Sequence, residues 1–337
     1  ALTPLGVNTR VYPSPDLSHF VVASSYLDRP DAYSVIDAKG SPIAVLSDAT
    51  LLPGEPFIER VAKATRHPDE LVWASIHKPT DFDPLSKYPV ILHVHGTVGF
   101  LWTSHGRDDR SNFRQSLADL GFIVVAVDGY GSVGRETAFL AEAVTAGHQC
   151  GGNRDGVELL KQLFEERPYM DQGRVGVYGY SQGGNCASRA ILEYPDDFHV
   201  AVSGAGNHDS RFSHPDEITA YIGGGPNVFP DRFKAQDNSV LANQLKGKIL
   251  FIVGAIDDDV PMITTFHLIN ALIGNNKSFD LTVFPNGTHA IHRSDYYRKV
   301  VWDYFAEHLL GEDLRLFDNS TRFGRTPQKV MIEPEVH

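Results

Sequence analysis

Ser181 stands in the pentapeptide Gly179-Tyr180-Ser181-Gln182-Gly183, where the apolar run RVGVYGY stops and a helix-type pattern, QGGNCASRAILE, begins. A serine hydroxyl is a weak nucleophile unless a base takes its proton and a third group orients that base. Candidates for both follow later in the chain, each directly after an apolar run. Asp257, Asp258 and Asp259 come after KILFIVGAI, and His289 and His292 after FDLTVF. Serine, acid, histidine is the chain order of an α/β-hydrolase triad, and a strand before G-x-S-x-G with a helix after it is the context of a nucleophile elbow. The glycines permit the sharp turn, and the helix start offers backbone N–H groups and a positive dipole end to an oxyanion. The residues alone leave three acids and two histidines. At least one aspartate belongs to a solvated turn, and DDDVP lacks the alternate spacing and glycine of a calcium loop. His289, in its Gly-Thr-His loop, is the favoured base. His292 is expected to begin the last helix in a capping or surface role.

Such residues need a scaffold, and the chain from Tyr88 onward supplies one. The strand candidates PVILHVH, FIVVAVDGYG, RVGVYGY, HVAVSGAG, KILFIVGA and FDLTVF alternate with helix-like stretches around 111–120, 156–166, 182–193, 262–273 and 296–310. Continuous apolar strands alternating with helices imply a mostly parallel sheet covered on both faces, the α/β class. The first fifty residues differ. HFVVASSY, AYSVIDA and PIAVLSD are short β-type runs punctuated by turn clusters, an antiparallel meander. Residues 1–50 are therefore read as an N-terminal β segment and 51–337 as the catalytic domain.

Composition limits the alternatives. At 337 residues, 42% hydrophobic and 21% charged, the chain can bury a large core. Its net charge of −12 argues against a nucleic-acid partner. No apolar run approaches a membrane span. No phosphate loop or ligand cluster calls for a cofactor or a metal. Cys150 and Cys186 fit neither a disulfide framework nor a metal-ligand spacing, and Cys186 reads as a buried small hydrophobe.

GYSQGG, GAIDDDVP and NGTHAIH, with KPTDFDPLSKYPVILHVHGTVG and DGYGSVGRETAF upstream, together resemble the prolyl oligopeptidase family of serine peptidases, and its dipeptidyl peptidase IV-like branch most. The likeness runs from about Thr80 to Leu310. It implies an α/β-hydrolase fold, Ser181 as nucleophile, His289 as base and Asp257 as the acid. It also implies that the N-terminal meander is the end of a β-propeller blade. One blade cannot close a propeller. The chain is therefore expected to be the C-terminal part of a longer polypeptide, or to pack that segment against the hydrolase domain; a propeller or a second copy is the expected protein partner.

Departures from the family pattern bear on the substrate. Where the family places a tyrosine that helps form the oxyanion hole, this chain has His95. Imidazole, or backbone N–H groups near Gly96 and Thr97, would serve instead, with the N–H of Gln182 beside the nucleophile as second donor. His93 is expected to point away from His95, into the packing layer. Asp259 stands where the family often has an asparagine that binds a substrate carbonyl, and a carboxylate cannot donate that bond. Asn207–Phe212 replace aromatic specificity residues; Tyr180, Asp259 and Asn207 complete the substrate-side candidates, and HAIHRSDYYR is a further candidate wall. Three readings follow: a peptidase acting on small peptides, a carboxylesterase with the same triad, and a non-catalytic binding module, which an ordered serine–acid–histidine set disfavours.

Overall fold

Adjacent residues of the central strands go to opposite sides of one sheet. Ile91, Tyr178 and Ile252 enter one buried cluster, while Leu92, Val177 and Phe251 enter the other. That period-two alternation, with both faces apolar, is what a sheet covered on both sides requires. In the computed structural model, residues 8–26, 29, 31–48, 58–66, 68–96, 99–103, 109–133, 139, 150–215 and 218–311 are described.

Eight strands form this sheet: β5 (Ile58–Ala64), β6 (Leu71–His77), β7 (Tyr88–His93), β8 (Ile123–Asp128), β9 (Met170–Tyr180), β10 (Val200–Gly204), β11 (Lys248–Gly254) and β12 (Asp280–Phe284). Their order across the sheet is β12-β11-β10-β9-β7-β8-β6-β5. From β12 to β8 all neighbours are parallel; β6 and β5 join antiparallel. The order reverses around β7, so that the ends of β7 and β9 open onto a topological switch point, where open α/β sheets bind ligands.

Helices α1 (Asp109–Ala118), α2 (Gly152–Glu166), α3 (Gln182–Glu193), α4 (Pro230–Gln236), α5 (Ile263–Gly274) and α6 (Asp295–Phe305) accompany the strands. The helix after Ser181 spans Gln182–Glu193, the stretch the sequence marks as helical. His292 does not begin the last helix. It lies in a 3₁₀ turn, Ile291–Arg293, and Ser294 caps α6 by accepting from the N–H of Tyr297. The serine hydroxyl is the better cap because its oxygen reaches the free N–H groups of the first turn.

The N-terminal runs make a separate four-stranded antiparallel sheet, β1 (Asn8–Pro13), β2 (His19–Ser25), β3 (Ala32–Asp37) and β4 (Pro42–Ser47), in sequential order. It contributes little to the core: Val22 and Ile36 are its buried apolar residues, and β4 is exposed along its length.

The cysteines depart from expectation. Cys150 and Cys186 are joined in a disulfide with Cα atoms 5.2 Å apart. Cys186 is buried as expected, but the pairing is set by topology. The start of α2 lies against α3, and Asn153 Nδ2 donates to Cys186 O at 2.9 Å. Only the folded sheet brings residues separated by 36 positions together. In the chain-entropy account a crosslink over a loop of that length is worth about 4 kcal/mol.

Candidate active site

Ser181 occupies a backbone conformation that L-residues avoid, with φ 58° and ψ −124°. Its neighbours explain how the turn closes. A Cβ at Gly179 would meet Gly183 O at 2.0 Å, and one at Gly183 would meet Val94 O at 2.5 Å and His95 Cα at 3.2 Å. Only glycine fits at either place, so α3 starts hard against the chain leaving β7. Ser181 N–H donates to Gly204 O at 2.8 Å, fixing the turn to β10. Strain of this kind costs roughly 1–3 kcal/mol and persists only where the surroundings enforce it.

His289 lies between the hydroxyl and an acid. Its Nε2 is 2.9 Å from Ser181 Oγ and its Nδ1 is 2.9 Å from Asp257 Oδ2. The two loops that carry acid and base are stitched by backbone bonds, Ala255 N–H to Phe284 O at 2.9 Å and Ile256 N–H to Gly287 O at 3.1 Å. Tyr180 donates its hydroxyl to His289 O at 2.6 Å, tying the histidine loop to the elbow.

The three aspartates separate by environment. Asp257 is buried, and its Oδ1 accepts from the N–H groups of Asp259 at 3.1 Å and Val260 at 2.8 Å. Asp258 is exposed. Asp259 is half exposed and sets its Oδ2 3.3 Å from His289 Nε2, the nitrogen that faces Ser181. Burial lowers the affinity of His289 for a proton, but the hydrogen bond and charge of Asp257, then the charges of Asp259 and Asp258, outweigh it, and the pKa is raised.

His95 is mostly buried against Phe100 and Trp102, with ring centroids 5.0 and 4.8 Å away. Burial, with the Arg110 charge added, brings its pKa down to about 4, so its imidazole is neutral at pH 7. A neutral ring carries one N–H donor. Gly96 has φ 70°, Gln182 is the first residue of α3, and Thr97 lies outside the described residues, as do residues 134–138 of the DGYGSVGRETAF stretch.

His93 does not point away from His95. Both line one cavity and both pack on Trp102, His93 at 4.8 Å and edge-on. Residues two apart along a strand share a face, so the expected opposition fails on strand geometry. His93 Nδ1 accepts from Arg114 Nε at 3.1 Å, and burial, then that guanidinium, keeps its ring neutral. Asn207 donates to Ser213, and its Oδ1 is buried without a partner among the described residues. Beyond it, Arg211 bridges Asp209 and Asp237, so Asn207–Phe212 run into an ion-pair network.

Sequence reasoning passes over the residues that shape the other wall. Asp128, at the end of β8, accepts from Thr103 Oγ1 and from the N–H groups of Trp102 and Thr103, which holds the Trp102 loop beside His95. Burial raises its pKa against those bonds. An acid closing an apolar strand, in VVAVD, was the available signal.

The sequence profile of the prolyl oligopeptidase family matches residues 109–312, more than half of the chain. The chain belongs to the prolyl oligopeptidase family. Membership identifies its α/β-hydrolase domain as one of a serine peptidase family and favours a peptidase over a carboxylesterase. Dipeptidyl peptidase 8 of Mus musculus is 27% identical over 253 residues, 71% of this chain and 27% of that protein; the Homo sapiens protein gives the same values. A solved chain from Bacteroides ovatus superposes with a TM-score of 0.80 at 25% identity, covering 91% of this chain and 45% of that one. Porphyromonas gingivalis dipeptidyl peptidase 4 shares the fold, with a TM-score of 0.77 at 21% identity over 89% of this chain and 43% of that one. The chain thus spans about a quarter of the length of the curated relatives and under half of the solved ones. No helix among the described residues is long and apolar enough to cross a membrane.

Proposed function

We propose that this chain carries the catalytic domain of a prolyl oligopeptidase-family serine peptidase that cleaves small peptides through an acyl-enzyme. The observation that carries this reading is His289, whose ring nitrogens lie 2.9 Å from Ser181 Oγ and 2.9 Å from Asp257 Oδ2. Ser181 Oγ attacks the scissile carbonyl carbon while its proton passes to His289 Nε2. The carbonyl oxygen takes the negative charge, stabilised by the Gln182 N–H and by a donor from the His95–Gly96 segment. The C–N bond then breaks as His289 returns the proton to the leaving nitrogen. Water, deprotonated by the same imidazole, cleaves the acyl ester. Asp257 holds the tautomer and balances the imidazolium charge.

Residues 1–50 are assigned to a propeller-blade-like unit and 51–337 to the hydrolase; four sequential antiparallel strands suit one blade. A propeller or a second copy of the chain is the protein partner of this reading. Asp259 keeps the carboxylesterase in view, since its carboxylate cannot donate to a peptide carbonyl and an alkoxide leaves with less help than an amine. The test presents one acyl group as an activated ester and as a peptide amide, alongside labelling of Ser181 by a fluorophosphonate. Turnover of both substrates with labelling at Ser181 is the expected result. Ester turnover alone would make this a carboxylesterase, and no labelling would remove the serine-hydrolase reading altogether.

The reading also fixes a pH response. His289 must be neutral to accept the Ser181 proton, and its pKa is raised, so kcat/KM is lost as pH falls through that raised value. Asp259→Asn deletes one of the charges that raise it. The acid limb of the kcat/KM profile should therefore move to lower pH; an unmoved limb would show that Asp259 does not act on His289.

A further inference from the structure

Beside Ser181 opens a cavity of about 820 Å³, within the range that takes small ligands. Arg110, Arg293 and Arg298 line it, and no aspartate or glutamate is among its described lining residues. The chain as a whole carries 42 acidic residues against 30 basic ones, so this cavity inverts the charge of the molecule around it. Arg293 is exposed and in no ion pair among the described residues. Arg298 pairs with Asp295 on its own helix, and Arg110 donates to Leu101 O and lies over Trp102. Two more polar atoms belong to the wall: His95 Nδ1 and Trp302 Nε1 are buried without a hydrogen-bond partner among the described residues.

The side of the nucleophile on which this cavity lies follows from the chemistry above, and the inference rests on that reading. His289 Nε2 hands its proton to the leaving nitrogen, so the leaving fragment sits beside the histidine loop. His292 and Arg293, a few residues past His289, form part of the cavity wall, as does Tyr180, which holds that loop. Asp259 and Asn207 do not line it.

We propose that this cavity receives the leaving fragment of the substrate and selects fragments bearing a carboxylate, in the first place the free C-terminal carboxylate of a short peptide. Guanidinium groups suit a carboxylate because their planar N–H pairs match its two oxygens, and charge-assisted bonds of that kind are stronger than neutral ones. The aromatic wall takes the apolar part of the fragment.

Binding to the Ser181→Ala protein tests this without turnover. Two tripeptides identical except for a free acid or an amide at the C-terminus are titrated calorimetrically. The acid should bind about tenfold or more tightly, from the usual strength of a charge-assisted bond, and the margin should shrink with added salt. The acid-to-amide ratio should fall toward one in Arg110→Gln/Arg293→Gln, and Arg293→Lys should keep part of it. Reading a ratio within each variant separates loss of the site from loss of the fold. A third ligand, the amide with glutamate as its last residue, identifies the source of the carboxylate. Tight binding of this ligand assigns a side-chain acid, and weak binding assigns the chain terminus. Equal affinity of acid and amide overturns the proposal, as does failure of both to bind at millimolar concentration. Because no catalysis is read, an acid preference that survives failure of Ser181 to label would remove the hydrolase reading and leave the carboxylate site standing.

Discussion

Ser181→Ala should lower kcat for a peptide amide by about 10⁶-fold, the loss found when the nucleophile of a serine peptidase triad is removed. The reason is geometric. The only change is loss of Oγ, which faces His289 Nε2 at 2.9 Å, while alanine retains the Cβ and the turn. An activated ester should lose its turnover alongside the amide, since both need the same acyl-enzyme. Steady-state rates after quantifying active sites in the wild type, with unfolding temperatures beside them, check the result. Retention of more than a few per cent of the amide rate with an unchanged fold would mean that another group attacks.

Asp257→Asn should cost about 10⁴-fold in kcat, as in other triads whose acid is amidated. The surroundings dictate the damage. Asp257 Oδ1 already accepts two backbone N–H groups, from Asp259 and Val260. An asparagine must keep its carbonyl oxygen there, which turns its NH₂ toward His289 Nδ1. That nitrogen must then accept, the ring proton moves to Nε2, and Nε2 can no longer take the proton of Ser181. Asp258→Asn removes an exposed carboxylate in the same tripeptide and should change kcat by a few-fold at most. A loss of similar size at both positions would sink the assignment of the acid.

The parts of this molecule that can be read from its sequence are those fixed by local pattern. Apolar runs alternating with helical stretches follow from burial on both sheet faces, and the elbow helix is legible because the helix-type pattern QGGNCASRAILE follows directly on the strand and its glycine turn. The resemblance chooses Asp257 among three acids, and in the structure that residue is buried against His289 Nδ1. What escapes is whatever depends on strands that meet only after folding. The Cys150–Cys186 bond joins the residue two positions before α2 to α3, and no spacing rule foretells it. Asp128 and the Trp102 loop meet at the end of β8 and become visible only with the sheet assembled. His93 is a different failure: period two was available, and it places His93 and His95 on one side.

The conformation of Ser181 sets stability and turnover against each other at one residue. A glycine there would adopt φ 58° without steric cost, relieving roughly 1–3 kcal/mol, against about 0.5–1 kcal/mol for its freer unfolded chain. The more stable relative of this protein is thus one without a nucleophile. Selection for activity has to hold the position against that gradient in every generation. A laboratory library ranked on melting temperature alone would therefore be drawn to Ser181→Gly and enrich inactive protein, so any stabilisation campaign on this scaffold needs a turnover screen at every round.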